Sequence, residues 1–267
     1  MYLSTYVISD IHGCYTEFQR MLKKIHFSDA DRLILAGDSI ERGKKTYDML
    51  RWMEQRPENV WLIRGNHEEE FASYIDLMLC IDGKRDTQSD FTSNQDALAL
   101  YGLVNGIFRK QRLSVPCFDR YGTIGSLLGD YDVNLNDLCR WMKMIRDMPY
   151  YYETEAGGRP CVIVHAGYAE NVEEISALFP SLEDFYLYAR EESCQLGGKR
   201  NGMVIAGHTP TIVKEVFSYN RGKVFRCYDQ EKDCVFYDID CGCAFRRRIL
   251  HAKLACIRIE DEKIFYV

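Results

Sequence analysis

Residues 6–13 read YVISDIHG, a short apolar run followed at once by the polar residues Ser9, Asp10 and His12. The apolar part has the composition of a buried strand, and Gly13 suits a tight turn after the polar cluster. A carboxylate and an imidazole close to a strand end are suited to binding a metal ion or a phosphate. This stretch predicts a sheet whose strand ends carry the chemistry of the protein.

Four further apolar runs are followed by polar residues in the same way. They read LILAGD at 33–38, VWLIRGNHE at 60–68, VIVHAG at 162–167 and MVIAGHT at 203–209. In sheets covered by helices, ligands gather outside the carboxyl ends of the strands. We therefore expect the five polar clusters to converge on one site.

The side chains collected in this way are carboxylates, imidazoles and an amide, which suit divalent manganese, iron or zinc better than a thiolate-loving ion. The candidates are Asp10, His12, Asp38, Asn66, His67, His165 and His208. They are too many for one tetrahedral zinc ion and fit two metal ions, the usual arrangement for displacement at phosphorus. Arg42 and Arg64 stand beside these clusters and could bind phosphate oxygens.

The five motifs, in this order, resemble the phosphoprotein-phosphatase branch of the metallophosphoesterases. That branch includes serine/threonine phosphatases, the bacteriophage lambda phosphatase and bacterial symmetrical diadenosine tetraphosphatases. The family pattern GDxHG reads SDIHG at 9–13, GDxxDRG reads GDSIERG at 37–43, and GNHE is intact at 65–68. The later motifs are HAG at 165–167 and GHT at 207–209. The resemblance covers most of the chain and is weakest between about 75 and 135.

The resemblance implies two divalent metal ions, with Mn²⁺ the first choice and iron or zinc the alternatives. The implied metal ligands are Asp10, His12, Asp38, Asn66, His165 and His208. The first three would hold one ion, and Asp38 would bridge to a second ion that the other three hold. Asn66 would also contact the substrate phosphate.

The resemblance implies further roles around the reacting phosphate. His67 would be the general acid that protonates the leaving oxygen, and Glu41, where the family usually has aspartate, would orient it. Arg42 would grip the phosphate. Arg64 and Arg190 match arginines of the bacterial and phage members and are expected to bind phosphate as well.

The alternation of short apolar runs with amphipathic ones indicates an α/β fold, a sheet covered by helices. The resemblance implies more specifically a sandwich of two mixed sheets flanked by helices in α-β-β-α layers. We predict a single domain over residues 1–267, with a mainly helical cap or insertion over about 69–150. Helical spacing of apolar residues follows the first strand, and a second helix is predicted over 44–55.

Composition limits the classes of protein that remain. The chain has 267 residues, 46% of them hydrophobic, and a net charge of −6. The apolar content excludes a disordered chain, and no apolar run approaches the roughly 20 residues of a membrane span. The N-terminus does not resemble a signal peptide, so we expect a cytoplasmic protein whose 11 cysteines stay reduced. The acidic net charge does not favour membranes or nucleic acid as partners.

The predicted activity is hydrolysis of phosphomonoesters by direct attack of a metal-bridging hydroxide. A serine/threonine-type protein phosphatase acting on phosphorylated proteins or peptides is the first reading. The alternative is a symmetrical diadenosine tetraphosphatase or another nucleotide pyrophosphohydrolase, whose substrate would be a dinucleoside polyphosphate. An inactive metal-binding scaffold and a nuclease are less favoured, because every expected ligand position carries a suitable group and the basic run 246–248 is short.

Overall fold

The structure is a computed structural model that describes residues 3–81, 93–111, 119–213 and 220–267. The chain divides into two compact units. The first comprises Met1–Asn66 together with Met148–Val267, and the second comprises His67–Asp147.

The described residues form ten strands and seven α-helices. The strands are β1 Thr5–Ile8, β2 Arg32–Ala36, β3 Val60–Ile63, β4 Tyr151–Ala156, β5 Arg159–Val164, β6 Met203–Ala206, β7 Phe225–Asp229, β8 Cys234–Asp238, β9 Ala255–Arg258 and β10 Lys263–Tyr266. The helices are α1 Tyr15–Lys24, α2 Thr46–Glu54, α3 Asn66–Ile81, α4 Asn94–Gln111, α5 Thr123–Asp130, α6 Leu135–Arg146 and α7 Leu182–Tyr188.

The first unit contains two five-stranded mixed sheets. One has the order β10-β9-β1-β2-β3, in which β1, β2 and β3 run parallel and β9 is antiparallel to β1. The other has the order β4-β5-β6-β8-β7, in which β5, β6 and β8 run parallel. All five predicted apolar runs are strands, and each lies in the parallel part of its sheet. Their carboxyl ends therefore lie together at one edge of each sheet.

The two sheets pack face to face through a shared apolar core. Val7 and Ile34 of the first sheet belong to the same buried cluster as Ile163, Ile205 and Tyr237 of the second. Burial of such side chains is the main favourable contribution to folding, at about 25 cal/mol per Å² of apolar surface. The predicted sandwich of two mixed sheets is confirmed.

Helices cover the outer faces of this sandwich. Helix α1 buries Phe18 and Met21, and α7 contributes Tyr186 to a cluster on the second sheet. Helix α2 is shorter than predicted, because Lys45 and Gln55 are its flanking cap residues. Its predicted apolar face is buried.

The second unit is helical in the residues that the structure describes. Asn134 caps helix α6 by accepting from the backbone N–H of Asp137, whose side chain bonds back to Asn134. This reciprocal arrangement satisfies backbone donors that the first helical turn leaves without intrahelical partners. The predicted helical insertion falls largely in this unit, although residues 82–92 and 112–118 lie outside the described residues. The single-domain assignment stays a prediction.

Two other expectations concern the whole chain. Among the described helices, none combines the length and apolarity needed to cross a membrane. All cysteines within the described ranges are free thiols, and most of these are buried, as expected for small core residues.

Candidate metal centre

The first two candidate ligands lie in the loop between β1 and α1. Asp10 and His12 are buried, and both have left-handed backbones, with φ of 51° and 48°. Asp38, after β2, and His208, after β6, share this conformation with φ of 50° and 71°. Such a conformation costs a residue with a Cβ about 1–2 kcal/mol. Strain of this kind gathers at functional sites, where it directs side chains into one place.

Backbone carbonyls fix the orientation of two histidine rings. His165 Nδ1 lies 3.1 Å from the carbonyl oxygen of Ala36, and His12 Nδ1 lies 3.2 Å from that of Ile40. A carbonyl oxygen can only accept, so each Nδ1 carries the proton and donates it. Each Nε2 is left with a lone pair suited to a metal ion.

Two oxygens and one ring nitrogen converge around His165 Nε2. It lies 3.1 Å from Asn66 Oδ1, 3.1 Å from His208 Nδ1 and 3.4 Å from Asp38 Oδ1. Lone pairs that face one another at this distance repel unless a cation lies among them. Adjacent ligands of an octahedral ion bound at about 2.1 Å are about 3.0 Å apart, so this spacing fits a metal ion.

The Asp38 carboxylate faces two histidines at once. Its Oδ1 points to His165 Nε2, whereas its Oδ2 lies 3.5 Å from His12 Nε2. Asp10 Oδ1 lies 3.8 Å from the same His12 nitrogen. The two oxygens of Asp38 therefore face two separate groups of candidate ligands, an arrangement that suits a carboxylate shared by two ions.

The buried carboxylate of Asp10 gives the clearest indication that the site needs a positive charge. Its Oδ2 accepts the backbone N–H of His208 at 3.0 Å, but within the described residues its buried Oδ1 has no hydrogen-bond partner. Burial and the nearby carboxylate of Asp240 raise the pKa of Asp10 to about 7. A divalent cation would satisfy the bare oxygen and favour the charged form, so the residues present fit the metal ions that the family implies.

Two glycines allow the strand ends to approach closely. A Cβ on Gly207 would lie 2.1 Å from Asp10 Oδ2 and 2.3 Å from Ser9 Oγ. A Cβ on Gly37, whose φ is +83°, would lie 2.6 Å from His165 Nδ1. The turn glycines of the motifs are therefore needed for space as well as for backbone conformation.

Two acidic residues at the end of β8 were missed by the sequence analysis as site residues. Asp238 and Asp240 are buried, and the carboxylate of Asp240 interacts with that of Asp10. Burial raises the pKa of Asp240 to about 7 and that of Asp238 well above its usual value. The same sequence pattern could have identified them, because β8 is followed by polar residues in the way that the five predicted strands are.

The three predicted phosphate-binding arginines have different surroundings. Arg64 is buried and donates to the carbonyl oxygen of Met148 at 3.1 Å and to Tyr150 Oη at 3.2 Å. Arg190 Nη1 lies 3.5 Å from Oγ1 of Thr209, the residue after His208. Arg42 is exposed, and its guanidinium lies 5.8 Å from the ring centroid of Phe245.

These contacts separate the arginines by role. Arg64 helps to hold the end of β3 to the chain that enters β4. Arg190 is beside the ligand loop after β6, and Arg42 belongs to the ligand loop after β2. All three assignments to phosphate stay predictions, and the surroundings of Arg190 and Arg42 suit that role best.

The predicted general acid and its orienting carboxylate are both buried. His67 lies in the first turn of α3, and its ring centroid is 5.4 Å from that of Tyr121 within the second unit. Glu41 belongs to the first unit and has a left-handed backbone with φ of 67°. Their catalytic roles stay predictions.

Curated relatives match part of the chain. A stretch of 67 residues is 43% identical to the symmetrical bis(5'-nucleosyl)-tetraphosphatase of Nitrosococcus oceani, covering 25% of this chain and 24% of that protein. A stretch of 104 residues is 35% identical to the enzyme of the same name from Buchnera aphidicola subsp. Acyrthosiphon pisum, covering 37% and 36%. The matched regions span less than two fifths of these relatives.

Solved structures with the same fold cover nearly all of the chain. A metallophosphoesterase from Sphaerobacter thermophilus has a TM-score of 0.52 at 11% identity, covering 100% of this chain and 87% of that one. A serine/threonine protein phosphatase from Saccharomyces cerevisiae has a TM-score of 0.54 at 11% identity, covering 99% and 79%. At these identities the likeness shows the fold alone.

The family assignment rests on a longer match. Residues 3–212 fit the family model described as calcineurin-like phosphoesterase, a range that includes every ligand position considered above. The resemblance to the metallophosphoesterases inferred from the five motifs is thereby confirmed. The chain belongs to the calcineurin-like phosphoesterase family.

Proposed function

We propose that the protein hydrolyses dinucleoside polyphosphates at two divalent metal ions, cleaving a symmetrical substrate into two nucleoside diphosphates. The observation that carries the metal-dependent part is the Asp38 carboxylate, whose two oxygens face His12 and His165 separately. The substrate class is supported by the names of the curated relatives, which are symmetrical bis(5'-nucleosyl)-tetraphosphatases.

The proposed metal ligands follow five strands, of which β1, β2 and β3 belong to the first sheet and β5 and β6 to the second. They are Asp10, His12, Asp38, Asn66, His165 and His208. Bound divalent ions, for which Mn²⁺ is our first choice, would supply positive charge to the phosphate and lower the pKa of a bound water towards about 7.

The protein's own groups prepare that site. The carbonyls of Ala36 and Ile40 keep the Nδ1 protons of His165 and His12 in place, so each ring presents Nε2 to the cluster. The His208 backbone N–H holds one oxygen of Asp10 and leaves the other available. These contacts reduce the reorganisation needed when ligands and substrate bind.

The substrate would be held and protonated by residues next to the ligands. Arg42 and Arg190 have planar guanidinium groups that can each bind two phosphate oxygens. His67 directly follows the ligand Asn66 and is our candidate for protonating the leaving diphosphate oxygen, with Glu41 as its orienting carboxylate. General acids of this kind contribute about 10²–10⁴-fold to rate.

The relatives favour the nucleotide alternative over the first reading of the sequence. The yeast serine/threonine phosphatase is only 11% identical and shows the fold alone, so it does not support a protein phosphatase. The sequence motifs are compatible with both activities, so the choice depends on the substrate.

Product analysis distinguishes these activities. Diadenosine tetraphosphate is incubated with the Mn²⁺-loaded protein, and the nucleotides are separated by anion-exchange chromatography. We expect ADP as the sole nucleotide product and much slower release of phosphate from a phosphoserine peptide. Formation of AMP and ATP in equal amounts, or preferential turnover of the peptide, would contradict the proposed substrate and cleavage position.

A further inference from the structure

A second candidate binding site lies along helix α1 of the first unit. A groove of about 630 Å³ is lined there by the cations Arg20, Lys23 and Lys45, with the aromatic residues Tyr15 and Phe27. Among the described residues that line it, none is acidic and none is a proposed metal ligand. A local excess of three positive charges contrasts with the net charge of −6 of the chain.

These cations are not used by the fold in the part of the chain that the structure describes. Arg20, Lys23 and Lys45 make no side-chain hydrogen bond or ion pair with the described residues. The acid that α1 itself carries, Glu17, is paired with Arg246 at 2.7 Å. Among the described residues, none of the three groove cations is therefore paired with an acid. A nearby carboxylate does act on the groove, because burial and the negative charge of Asp48 together raise the pKa of Tyr15.

The positions of Arg20 and Lys45 are unfavourable for the helices that carry or follow them. Arg20 and Lys23 are three residues apart and share a face of α1, where like charges repel. Lys45 is the N-cap of α2, where the positive end of the helix dipole disfavours a cation. Lys23 alone has a local explanation, because it lies in the last turn of α1, where a cation is favoured. A ligand that brings negative charge would relieve these repulsions.

A smaller groove continues this surface. Its volume is about 410 Å³, and it shares Arg20 and Lys23 with the first groove while adding Lys24, Tyr266 and Val267. Lys24 Nζ already donates to the carbonyl oxygen of Tyr266 at 2.6 Å. The combined surface has room for an elongated ligand with several negative charges. Both volumes are within the range of small-molecule sites.

We propose that the α1 groove binds a nucleotide carrying two or more phosphates, at a site separate from the metal centre. Arg20, Lys23 and Lys45 hold the phosphates, and Tyr15 and Phe27 provide aromatic surface for the base. Cations interleaved with aromatic rings are a common way to hold phosphates and bases together. An acidic protein segment would use the cations but would gain little from the two aromatic rings.

Binding of ADP to the metal-free protein tests this proposal. Isothermal titration in EDTA at low ionic strength prevents hydrolysis and does not depend on the metal ions. We expect ADP to bind the wild type and to bind an Arg20→Gln/Lys23→Gln variant at least tenfold more weakly. The control Arg247→Gln/Arg248→Gln removes the same charge at exposed positions outside the groove and should change the affinity less than twofold.

The ligand class is tested by competition. We expect Tyr15→Leu to weaken ADP binding and to leave binding of inorganic tripolyphosphate unchanged. Equal ADP affinity for the wild type and the groove variant would overturn the site. Equal affinity of the wild type for tripolyphosphate and ADP, or displacement of ADP by polyglutamate at matched charge, would overturn the nucleotide assignment.

This proposal stands apart from the proposed hydrolytic function. Failure of ADP to bind in EDTA leaves the product analysis with diadenosine tetraphosphate untouched. Failure of that hydrolysis leaves the binding measurement interpretable, because no metal ion or turnover enters it.

Discussion

The strand ends of the first unit and the helices of the second unit use polar side chains in opposite ways. In the first unit, Asp10, Asp38 and His208 are buried in left-handed backbones, and one oxygen of Asp10 lacks a hydrogen bond within the described residues. In the second unit, Asn134 and Asp137 satisfy each other at a helix start, and Arg146 is partly exposed between two acids. The strand ends depart from the usual backbone conformations and leave polar atoms unsatisfied within the described part of the chain, whereas these helices have satisfied caps and paired charges.

The difference teaches where to look for function. A sequence specifies a stable element when propensity, capping and charge agree, and departures from that agreement gather at functional sites. Buried acids with raised pKa values are stable only if another interaction compensates for their charge. We therefore expect substitutions in the two regions to differ in kind, with losses of activity at the strand ends and modest changes of stability in the helices.

The largest effect is expected for Asp38→Asn. The amide keeps the shape of the side chain but removes the charge and one ligand oxygen of the group that faces both His12 and His165. Loss of several kcal/mol of charge stabilisation lowers kcat by about 10³-fold or more. The loss of kcat is measured by steady-state hydrolysis of an aryl phosphate ester. The control is Lys143→Gln, at an exposed position of α6. Less than a tenfold loss would remove Asp38 from the metal centre.

Gly→Ala substitutions sharpen the comparison because the same change should act oppositely in the two regions. Gly207→Ala places a Cβ 2.1 Å from Asp10 Oδ2, so we expect about a 10²-fold loss of activity from displaced ligands. Gly102→Ala lies in α4, where a Cβ meets nothing within 4 Å, and should stabilise the protein by about 0.5–1 kcal/mol. Chemical denaturation and activity are measured for both variants. Equal effects of the two substitutions would contradict the distinction between the regions.

The buried acids give the metal-free protein an unusual pH dependence. The pKa of Asp240 is raised to about 7, mainly by burial, so the folded state holds a proton that the unfolded chain releases near pH 4. The stability that this bound proton gives to the folded state is fully present below pH 4 and is lost as the pH rises to about 7. The loss is about 1.4 kcal/mol per pH unit for each proton.

Denaturation in EDTA at pH 5, 6 and 7 measures this slope. Asp240→Asn should flatten it, because the amide does not titrate. Mn²⁺ should reduce it as well, since a nearby cation compensates for the carboxylate charge. A slope of the opposite sign that Asp240→Asn leaves unchanged would show that this acid does not control the dependence.

The smallest effect is expected in the second unit. Arg146 donates to Glu69 and to Asp76, with a distance of 2.8 Å to Asp76 Oδ2. The three side chains are partly exposed, so Arg146→Gln should lower the free energy of unfolding by only about 1 kcal/mol. Activity should stay within twofold of the wild type. A tenfold loss of activity with unchanged stability would give this ion pair a functional role that its surroundings do not indicate.

Much of the first unit could be predicted because its signals are local. Short apolar runs followed by polar residues located β1, β2, β3, β5 and β6 and the candidate ligands that follow them. The carbonyls that orient His12 and His165 could not be predicted, because a backbone oxygen has no sequence signature and its position depends on the packing of strands. Asp240 was missed as a site residue although its strand, β8, shows the same pattern. The contacts of Arg64 with Met148 and Tyr150 could not be predicted either, because nothing in the sequence indicates them.

The number of metal ions bound per chain tests the central claim most directly. Equilibrium dialysis against Mn²⁺, followed by mass spectrometry of the metal, should give two ions per wild-type chain. The Asp38→Asn chain should hold one ion or none, because both ligand groups meet at that carboxylate. Two tightly bound ions in the Asp38→Asn chain, or none in an active wild type, would contradict a centre in which this residue joins the two.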